Sequence, residues 1–195
     1  DLIVVDANDP ETLSSPAATD PTAWGLHGGL HRHCPHARCA MHVHSTYATV
    51  LASLTDSRLP PIDQNACTFF NRIVIDDNYG GLAFEEEGAR CAQLFDDPKK
   101  KVMVMGNHGI IVIGDTVADT FNRMFYFERA CMTYILALQT GMPLRVLSSP
   151  TWAMLTSGAS TSACSRKASR TGRNRRGWRP GQWHRTRQPV ENKKK

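Results

Sequence analysis

Three histidines have the types and spacing of ligands to a single metal ion. His42 and His44 are one residue apart in the segment Cys39–His44, which predicts a β-strand. Alternate residues of a strand point to the same face, so the two imidazoles can bind one ion. His108 lies in a glycine-flanked turn between two apolar runs, a rigid position that favours a functional histidine. Three neutral imidazoles leave coordination positions open for substrate, which is typical of a catalytic zinc site.

Cysteines offer an alternative metal site. Cys34 and Cys39 could join His42 and His44 around a structural zinc ion. The spacing disfavours this site, because only two residues separate Cys39 from His42 and a strand points these two side chains to opposite faces. In a chain of 195 residues, large enough to bury a core, we expect the six cysteines to be reduced thiols.

The elements that must position the histidines alternate between helix and strand. Asp20 followed by Pro21 predicts the start of a helix that ends before Pro35. Apolar periodicity predicts further helices over 47–54 and 85–95 and a longest one from Asp115 to Gly141, and strands over 39–44, 73–75, 102–105 and 110–113. Strands interleaved with helices predict an α/β domain with α/β/α layers.

Charge divides the chain into two parts. Residues 151–195 carry 12 Lys and Arg against one acid, net +11, whereas residues 1–150 carry 11 against 17, net −6. We therefore predict a domain over 1–150 and a basic, disordered tail over 151–195. The tail leaves nucleic-acid binding through phosphate contacts as an alternative, although an altered or out-of-frame carboxyl end is favoured. No apolar run approaches the roughly 20 residues of a membrane span and no signal peptide is evident, so the prediction is cytoplasmic.

Two separated motifs resemble the class II aldolase/adducin family, and in particular L-fuculose-phosphate aldolase-like proteins. The first comprises Trp24-Gly25-Leu26-His27 and Met41-His42-Val43-His44-Ser45. The second comprises the run from Gly106 to Gly114 and then Phe127-Glu128-Arg129-Ala130. They occur in the family's order and at family-like separation, and the resemblance extends over about residues 1–147.

The resemblance implies a three-layer α/β/α fold with a central, mostly antiparallel sheet, and a homotetramer. It implies a divalent metal cofactor held by His42, His44 and His108, with Zn²⁺ expected and Mn²⁺ or Fe²⁺ as alternatives. His27, Ser45, Asn107 and Gly109 are expected to contact substrate or to support the ligands. Members of the family include sugar-phosphate aldolases of carbohydrate metabolism, a pentose-phosphate 4-epimerase and decarboxylases.

The sequence departs from the family pattern in two places. The family's aldolases carry a catalytic glutamate nineteen residues before the first ligand histidine, and Ala23 occupies that position here. A methyl group cannot transfer a proton, so the catalytic residue stays unassigned, with Asp63, Glu85, Glu86 and Glu87 as the available carboxylates. The family's preceding segment, with its phosphate-binding loops, is also missing before Asp1, which predicts an amino-terminally incomplete domain.

Two functions follow from these observations. The first is a metal-dependent lyase that cleaves or decarboxylates a small hydroxy-carbonyl, carboxylate or sugar-phosphate substrate through a metal-stabilised enediolate. The second is an adducin-like structural or interaction module that kept the fold without catalysis, for which Ala23 is the motivation. The three histidines favour the lyase.

Overall fold

The protein was analysed as a computed structural model, which describes residues 4–14, 18, 20–80 and 85–148. The predicted basic tail over 151–195 and the boundary near residue 150 lie outside these residues and stay predictions. The candidate carboxylate Glu85 is described only through its backbone.

Within the described part of the chain, four strands form one mixed sheet in the centre of the domain. They are β1 (Cys39–Val43), β2 (Ile73–Asp76), β3 (Val102–Met105) and β4 (Gly109–Gly114). The spatial order is β1-β4-β3-β2, and the two pairs that involve β4 are antiparallel while β2 and β3 are parallel. The sheet is therefore mostly antiparallel, as predicted.

Helices cover both faces of this sheet. On one face lie α3 (Thr46–Ala52), α4 (Gln64–Phe69) and α6 (Val117–Gln139), which share a buried cluster with Val104 and Ile110. On the other face, α5 (Glu85–Leu94) packs with the helical segment that precedes β1, around Met103 and Ile111. Because β3 and β4 are buried on both faces, their side chains are continuously apolar rather than alternating. The fold is the predicted three-layer α/β/α arrangement.

The segment that precedes β1 contains a π-helical turn. It runs without a break through α1 (Pro21–Ala23), a π-helix (Trp24–Gly28) and α2 (Gly29–His33). Asp20 caps its start by accepting hydrogen bonds from the backbone N–H groups of Thr22 and Ala23, at 2.8 and 3.3 Å. The predicted helix start and end are therefore confirmed, whereas the widened turn was not predicted. Such π-turns are frequent at functional sites.

This helical segment crosses α5 at a contact between glycines. A Cβ atom added to Gly29 would lie 2.5 Å from the carbonyl carbon of Gly88, and one added to Gly88 would overlap the carbonyl oxygen of Gly25. The two backbones can approach this closely only because neither residue carries a side chain. The contact holds the π-turn close against α5.

Some predicted boundaries were wrong, and one helix was missed. The strand predicted over 39–44 ends at Val43, so His44 follows the strand instead of belonging to it. The longest helix begins after Thr116, whose side chain caps it by accepting from the Asp119 N–H. The helix Gln64–Phe69 was not predicted, because it spans fewer than two turns after a proline pair and shows little periodicity.

Two further expectations concern the membrane and the thiols. No helix among the described residues has both the length and the apolarity to cross a membrane. Each cysteine that the structure describes is a free thiol, and all of them except the half-exposed Cys39 are buried: Cys34, Cys67, Cys91 and Cys131. The predicted reduced state is consistent with these positions, and Cys164 lies outside the described residues.

Candidate metal centre

The three predicted histidines converge at one end of the sheet. The Nε2 atoms of His42 and His44 are 3.0 Å apart, those of His44 and His108 are 3.1 Å apart, and those of His108 and His42 are 3.2 Å apart. The three nitrogens thus form a nearly equilateral triangle, although 66 residues separate His42 from His108. The rings of His42 and His108 are nearly parallel, and His44 meets both of them edge-on.

Strand pairing brings the two parts of the chain together. Val43 is paired with Ile110 in the β1–β4 ladder, so the end of β1 lies beside the start of β4. Gly109 begins β4, and a Cβ atom there would lie 2.6 Å from the carbonyl oxygen of Val43 and 2.7 Å from the His44 ring. A side chain at this position would therefore push His44 away from His108. Gly109, which was expected to contact substrate or to support the ligands, lies directly against the His44 ring.

The turn that carries His108 has a left-handed residue. Asn107 has φ 54°, a conformation that asparagine tolerates better than most residues. Its backbone N–H donates to the Ala52 carbonyl at 2.9 Å, which ties the turn to the end of α3. The Asn107 side chain is exposed. The left-handed backbone of Asn107 and its hydrogen bond to Ala52 give the turn its shape.

The hydrogen bonding of His42 fixes its tautomer. Its Nδ1 lies 2.9 Å from the Ile110 carbonyl oxygen, which can only accept, so Nδ1 carries the proton. Burial lowers the pKa of His42 to about 4, and burial also lowers the pKa of His108. The Nε2 atom of His42 therefore presents a lone pair to the other two imidazoles at neutral pH. A second ring nitrogen bonded to a carbonyl is the usual arrangement behind a metal-binding histidine.

The donor set fits a divalent cation. Zinc binds imidazole nitrogen at about 2.0–2.1 Å, which places two nitrogens on one ion roughly 2.8–3.4 Å apart for angles between 90° and 110°. The observed separations of 3.0–3.2 Å fall in this range. Clustered lone pairs repel one another unless a cation or a proton lies among them. Three neutral nitrogens at this spacing are therefore suited to holding an ion with positions left for other ligands.

A cleft of about 380 Å³ opens onto the three histidines. Its other lining residues are Asp20, Thr22, Ala23, Leu26, His27 and Tyr79. Half-buried His27, which was expected near the substrate, thus shares the cleft, and burial lowers its pKa. Ala23 also lines the cleft, and its methyl group cannot transfer a proton.

Three of the carboxylates that the sequence offered as replacements have described side chains, and these do not line the cleft. Asp63 caps α4 by accepting from the Ala66 N–H, Glu87 is paired with Arg90, and Glu86 is exposed. Among the described residues around the cleft, Asp20 is the one that carries a carboxylate. Hydrogen bonds from the Thr22 side chain, and then from the Thr22 and Ala23 backbones, lower the pKa of Asp20 and make it a weak base. From the sequence, Asp20 was predicted only to cap the start of a helix.

A second carboxylate supports the site from α6. Glu128 accepts hydrogen bonds from the Ser45 hydroxyl at 2.7 Å and from the N–H groups of Tyr47 and Ala48, both at 2.9 Å. It therefore caps α3, which begins two residues after His44, although Ser45 is at the N-cap position and makes no side-chain cap of its own. Ser45, which was expected to contact substrate or to support the ligands, donates to Glu128 and so connects the start of α3 to α6. Glu128 belongs to the second sequence motif, but the motif alone does not show that the Glu128 side chain contacts α3.

The alternative zinc site is not assembled. Among the described residues, Cys34 and Cys39 belong to no cluster with the histidines, and the Cys34 Sγ lies 3.4 Å from His36 Nε2 instead. Burial raises the pKa of the Cys34 thiol, which disfavours the thiolate that a zinc site needs.

Residues 1–135 match the family described as Class II Aldolase and Adducin N-terminal domain. The chain belongs to this family. The resemblance stated from the two motifs is thereby confirmed.

Relatives in this family have different functions. The chain is 28% identical over 144 residues to the decarboxylase NovR of Streptomyces niveus, and the aligned region covers 73% of this chain and 52% of the relative. It is 33% identical over 130 residues to beta-adducin of Rattus norvegicus, and that aligned region covers 67% of this chain and 18% of the adducin. The chain thus spans about half the length of the bacterial relative and less of the adducin.

Solved structures support the fold. An L-fuculose 1-phosphate aldolase from Glaciozyma antarctica PI12 superposes with a TM-score of 0.61 at 20% identity, over 72% of this chain and 52% of the aldolase. At this identity the similarity shows the three-layer fold, and the chemistry must be argued from the site.

Proposed function

We propose that this chain is the metal-binding domain of a carbon–carbon lyase of the class II aldolase type, acting on a small hydroxy-carbonyl or carboxylate substrate. The observation that carries the proposal is the triangle of three Nε2 atoms, 3.0–3.2 Å apart, at the mouth of a cleft. His42, His44 and His108 would hold one divalent ion, with Zn²⁺ preferred over Mn²⁺ or Fe²⁺ for an all-nitrogen set. A bound ion would supply Lewis acidity toward a substrate carbonyl or carboxylate oxygen.

None of the described residues that line the cleft is a strong base, which favours decarboxylation over aldol cleavage. Aldol cleavage begins when a base removes the proton of the substrate hydroxyl group, and neither Ala23 nor the weakly basic Asp20 is suited to this step. Decarboxylation begins instead with rupture of the bond to the carboxylate, which leaves as CO₂, and the electron pair stays on the neighbouring carbon, where the adjacent carbonyl group of a 3-oxo acid delocalises it as an enolate. That carbon then takes a proton, for which His27 or solvent is available in the cleft.

Metal content tests the proposal directly. We expect about one divalent ion per chain in protein purified without added metal, and loss of that ion in His42→Ala and His108→Ala, since two imidazoles bind far more weakly than three. His33→Ala is the matched control, because His33 is exposed on α2, away from the cleft. Full occupancy in His108→Ala would refute the assignment of the ligands.

A second candidate is an adducin-like interaction module without catalysis. The methyl group of Ala23 in the cleft and the 33% identity to beta-adducin favour it. The two candidates differ in turnover. Release of CO₂ from a panel of 3-oxo acids, including 2-hydroxy-3-oxo acids, that stops on addition of a chelator would exclude the interaction module, whereas bound metal without turnover would favour it.

We also propose that the chain assembles as a homotetramer. Val117, Phe121 and Phe125 recur every four residues along α6 and are 46–67% exposed, which forms an apolar stripe beside His44 and Ser45. Light scattering coupled to size exclusion measures the assembly. A monomer at all concentrations would contradict the proposed homotetramer.

The cytoplasmic location stays a prediction from the sequence.

A further inference from the structure

The ring of Tyr79 packs against His108. Their centroids are 4.6 Å apart with a tilt of 43°, and Tyr79 lines the same cleft as the three histidines. The His108 ring also lies nearly parallel to the His42 ring, with centroids 5.0 Å apart. His108 therefore contacts both a proposed ligand and an aromatic ring that has no role in the site described so far. Burial raises the pKa of Tyr79 to about 12, so this ring is uncharged at neutral pH.

The backbone on both sides of Tyr79 is held by carboxylates. The N–H of Asn78 donates to Asp76 Oδ1 at 3.2 Å, and the N–H of Gly80 donates to Glu87 Oε1 at 3.3 Å. Asp76 is the last residue of β2 and is 3% exposed, whereas Glu87 lies on α5. The two carboxylates thus come from different elements and meet at the segment that carries Tyr79.

One guanidinium joins these carboxylates. Arg90 binds Asp76 through both terminal nitrogens, at 3.0 and 2.6 Å, and binds Glu87 at 2.7 and 3.1 Å. Asp76, Glu87 and Cys91 have the spacing of a second metal site, but the cation among them is Arg90. A buried carboxylate with two bonds to a guanidinium is already satisfied in charge and geometry.

The same network contacts the turn that carries His108. The carbonyl oxygen of Asp76 accepts from the Gly106 N–H at 2.9 Å, two residues before His108. Asp76 therefore fixes the turn through its main chain and the Tyr79 segment through its side chain. A displacement of Asp76 would therefore move both the turn that carries His108 and the segment that carries Tyr79.

We propose that Tyr79 is a positioning residue for His108, and that the Asp76–Arg90–Glu87 ion-pair network sets the place of the Tyr79 ring. The network would thereby control the affinity of the histidine site for a divalent cation without contacting the cation. This inference rests on the proposed function of the site, and it adds a control that lies outside the cleft. Groups behind a ligand commonly change metal affinity by 10–100-fold.

Cobalt titration of the full chain tests the inference, because the visible spectrum of bound Co²⁺ reports both affinity and ligand geometry. We expect Tyr79→Leu to weaken Co²⁺ binding by about 10–100-fold and to change the spectrum, since the ring support is removed. Tyr79→Phe keeps the ring and should stay within about threefold of the wild type. Tyr126→Leu removes an exposed tyrosine from α6 and is the matched control.

A double variant shows whether the network acts through the ring. Arg90→Lys keeps the charge but loses the two-point bond, and it should weaken Co²⁺ binding in the same direction as Tyr79→Leu. Arg90→Lys combined with Tyr79→Leu should bind no more weakly than Tyr79→Leu alone, because the two changes remove one support. Arg58→Lys, in an exposed pair with Asp56, controls for the substitution itself. Wild-type affinity in Tyr79→Leu, or fully additive losses in the double variant, would overturn the inference.

Proton NMR of the metal-free chain separates this inference from the proposed function. Contacts between the ring protons of Tyr79 and His108 should be present in the wild type and lost in Arg90→Lys, or in Glu87→Gln if the lysine variant does not fold. A wild-type chain that binds no Co²⁺ would refute the proposed metal site, and the NMR contacts would still decide the positioning. Contacts that persist unchanged in a folded variant without the network would overturn it.

Discussion

Glu128 provides a prediction that the sequence could not make. Its carboxylate, on α6, accepts from the Ser45 hydroxyl and from the N–H groups of Tyr47 and Ala48, at 2.7–2.9 Å. Ala48 is fully buried, so its N–H has no access to water as a substitute partner. Glu128→Ala therefore removes the cap of α3 and leaves a buried donor unpaired.

The expected loss of stability follows from these three bonds. A backbone hydrogen bond to a charged acceptor contributes about 1.5 kcal/mol at the lower end of its usual range, and two of them give about 3 kcal/mol. The Ser45 hydroxyl is more easily rehydrated and adds little. Glu128→Gln keeps one acceptor oxygen, but its NH₂ group would face one of the two backbone N–H groups. We therefore expect an intermediate loss of about 1.5–2 kcal/mol.

Urea denaturation measures these losses as a change in the free energy of unfolding at constant m value. In a domain of this size, a loss of 3 kcal/mol would also lower the melting temperature by roughly 6–12 °C. Glu86→Ala, an exposed glutamate on α5, is the control and should stay within about 0.5 kcal/mol. A loss below about 1 kcal/mol in Glu128→Ala would refute the reasoning, because the three bonds would then not be supporting α3.

Two further predictions concern packing and pH. Gly88→Ala should destabilise the chain by about 1–3 kcal/mol in urea, because the new methyl group overlaps the Gly25 carbonyl, whereas Gly80→Ala meets open space and should be nearly neutral. Burial lowers the pKa values of His27, His42 and His108, so below about pH 6.5 the unfolded chain binds more protons than the folded chain. The free energy of unfolding of the metal-free protein should therefore fall as the pH drops from 6.5 toward 4, and His42→Gln should reduce this fall. A pH-independent stability over that interval would contradict the pKa shifts.

The layered fold could be predicted because its signals are local. Continuous apolar runs identify strands buried on both faces, and the Asp20-Pro21 pair identifies a helix start without any tertiary contact. The π-turn at Trp24–Gly28 could not be predicted in this way, since backbone contact between Gly29 and Gly88 accompanies it and Gly88 lies on another element. The short helix Gln64–Phe69 was missed because six residues are too few to show a period.

The same distinction between local and tertiary information holds for the three-histidine site. The sequence by itself determined the residue types, since two histidines one residue apart and a third in a glycine-flanked turn are visible as motifs. Only the tertiary structure decided that their three Nε2 atoms meet within 3.2 Å, because this depends on the pairing of β1 with β4 across the sheet. It also decided which carboxylates support the site, since Glu128 and Asp76 act on groups far away in the chain. Spacing along a strand is a property of covalent geometry, whereas the approach of distant side chains depends on how the layers pack.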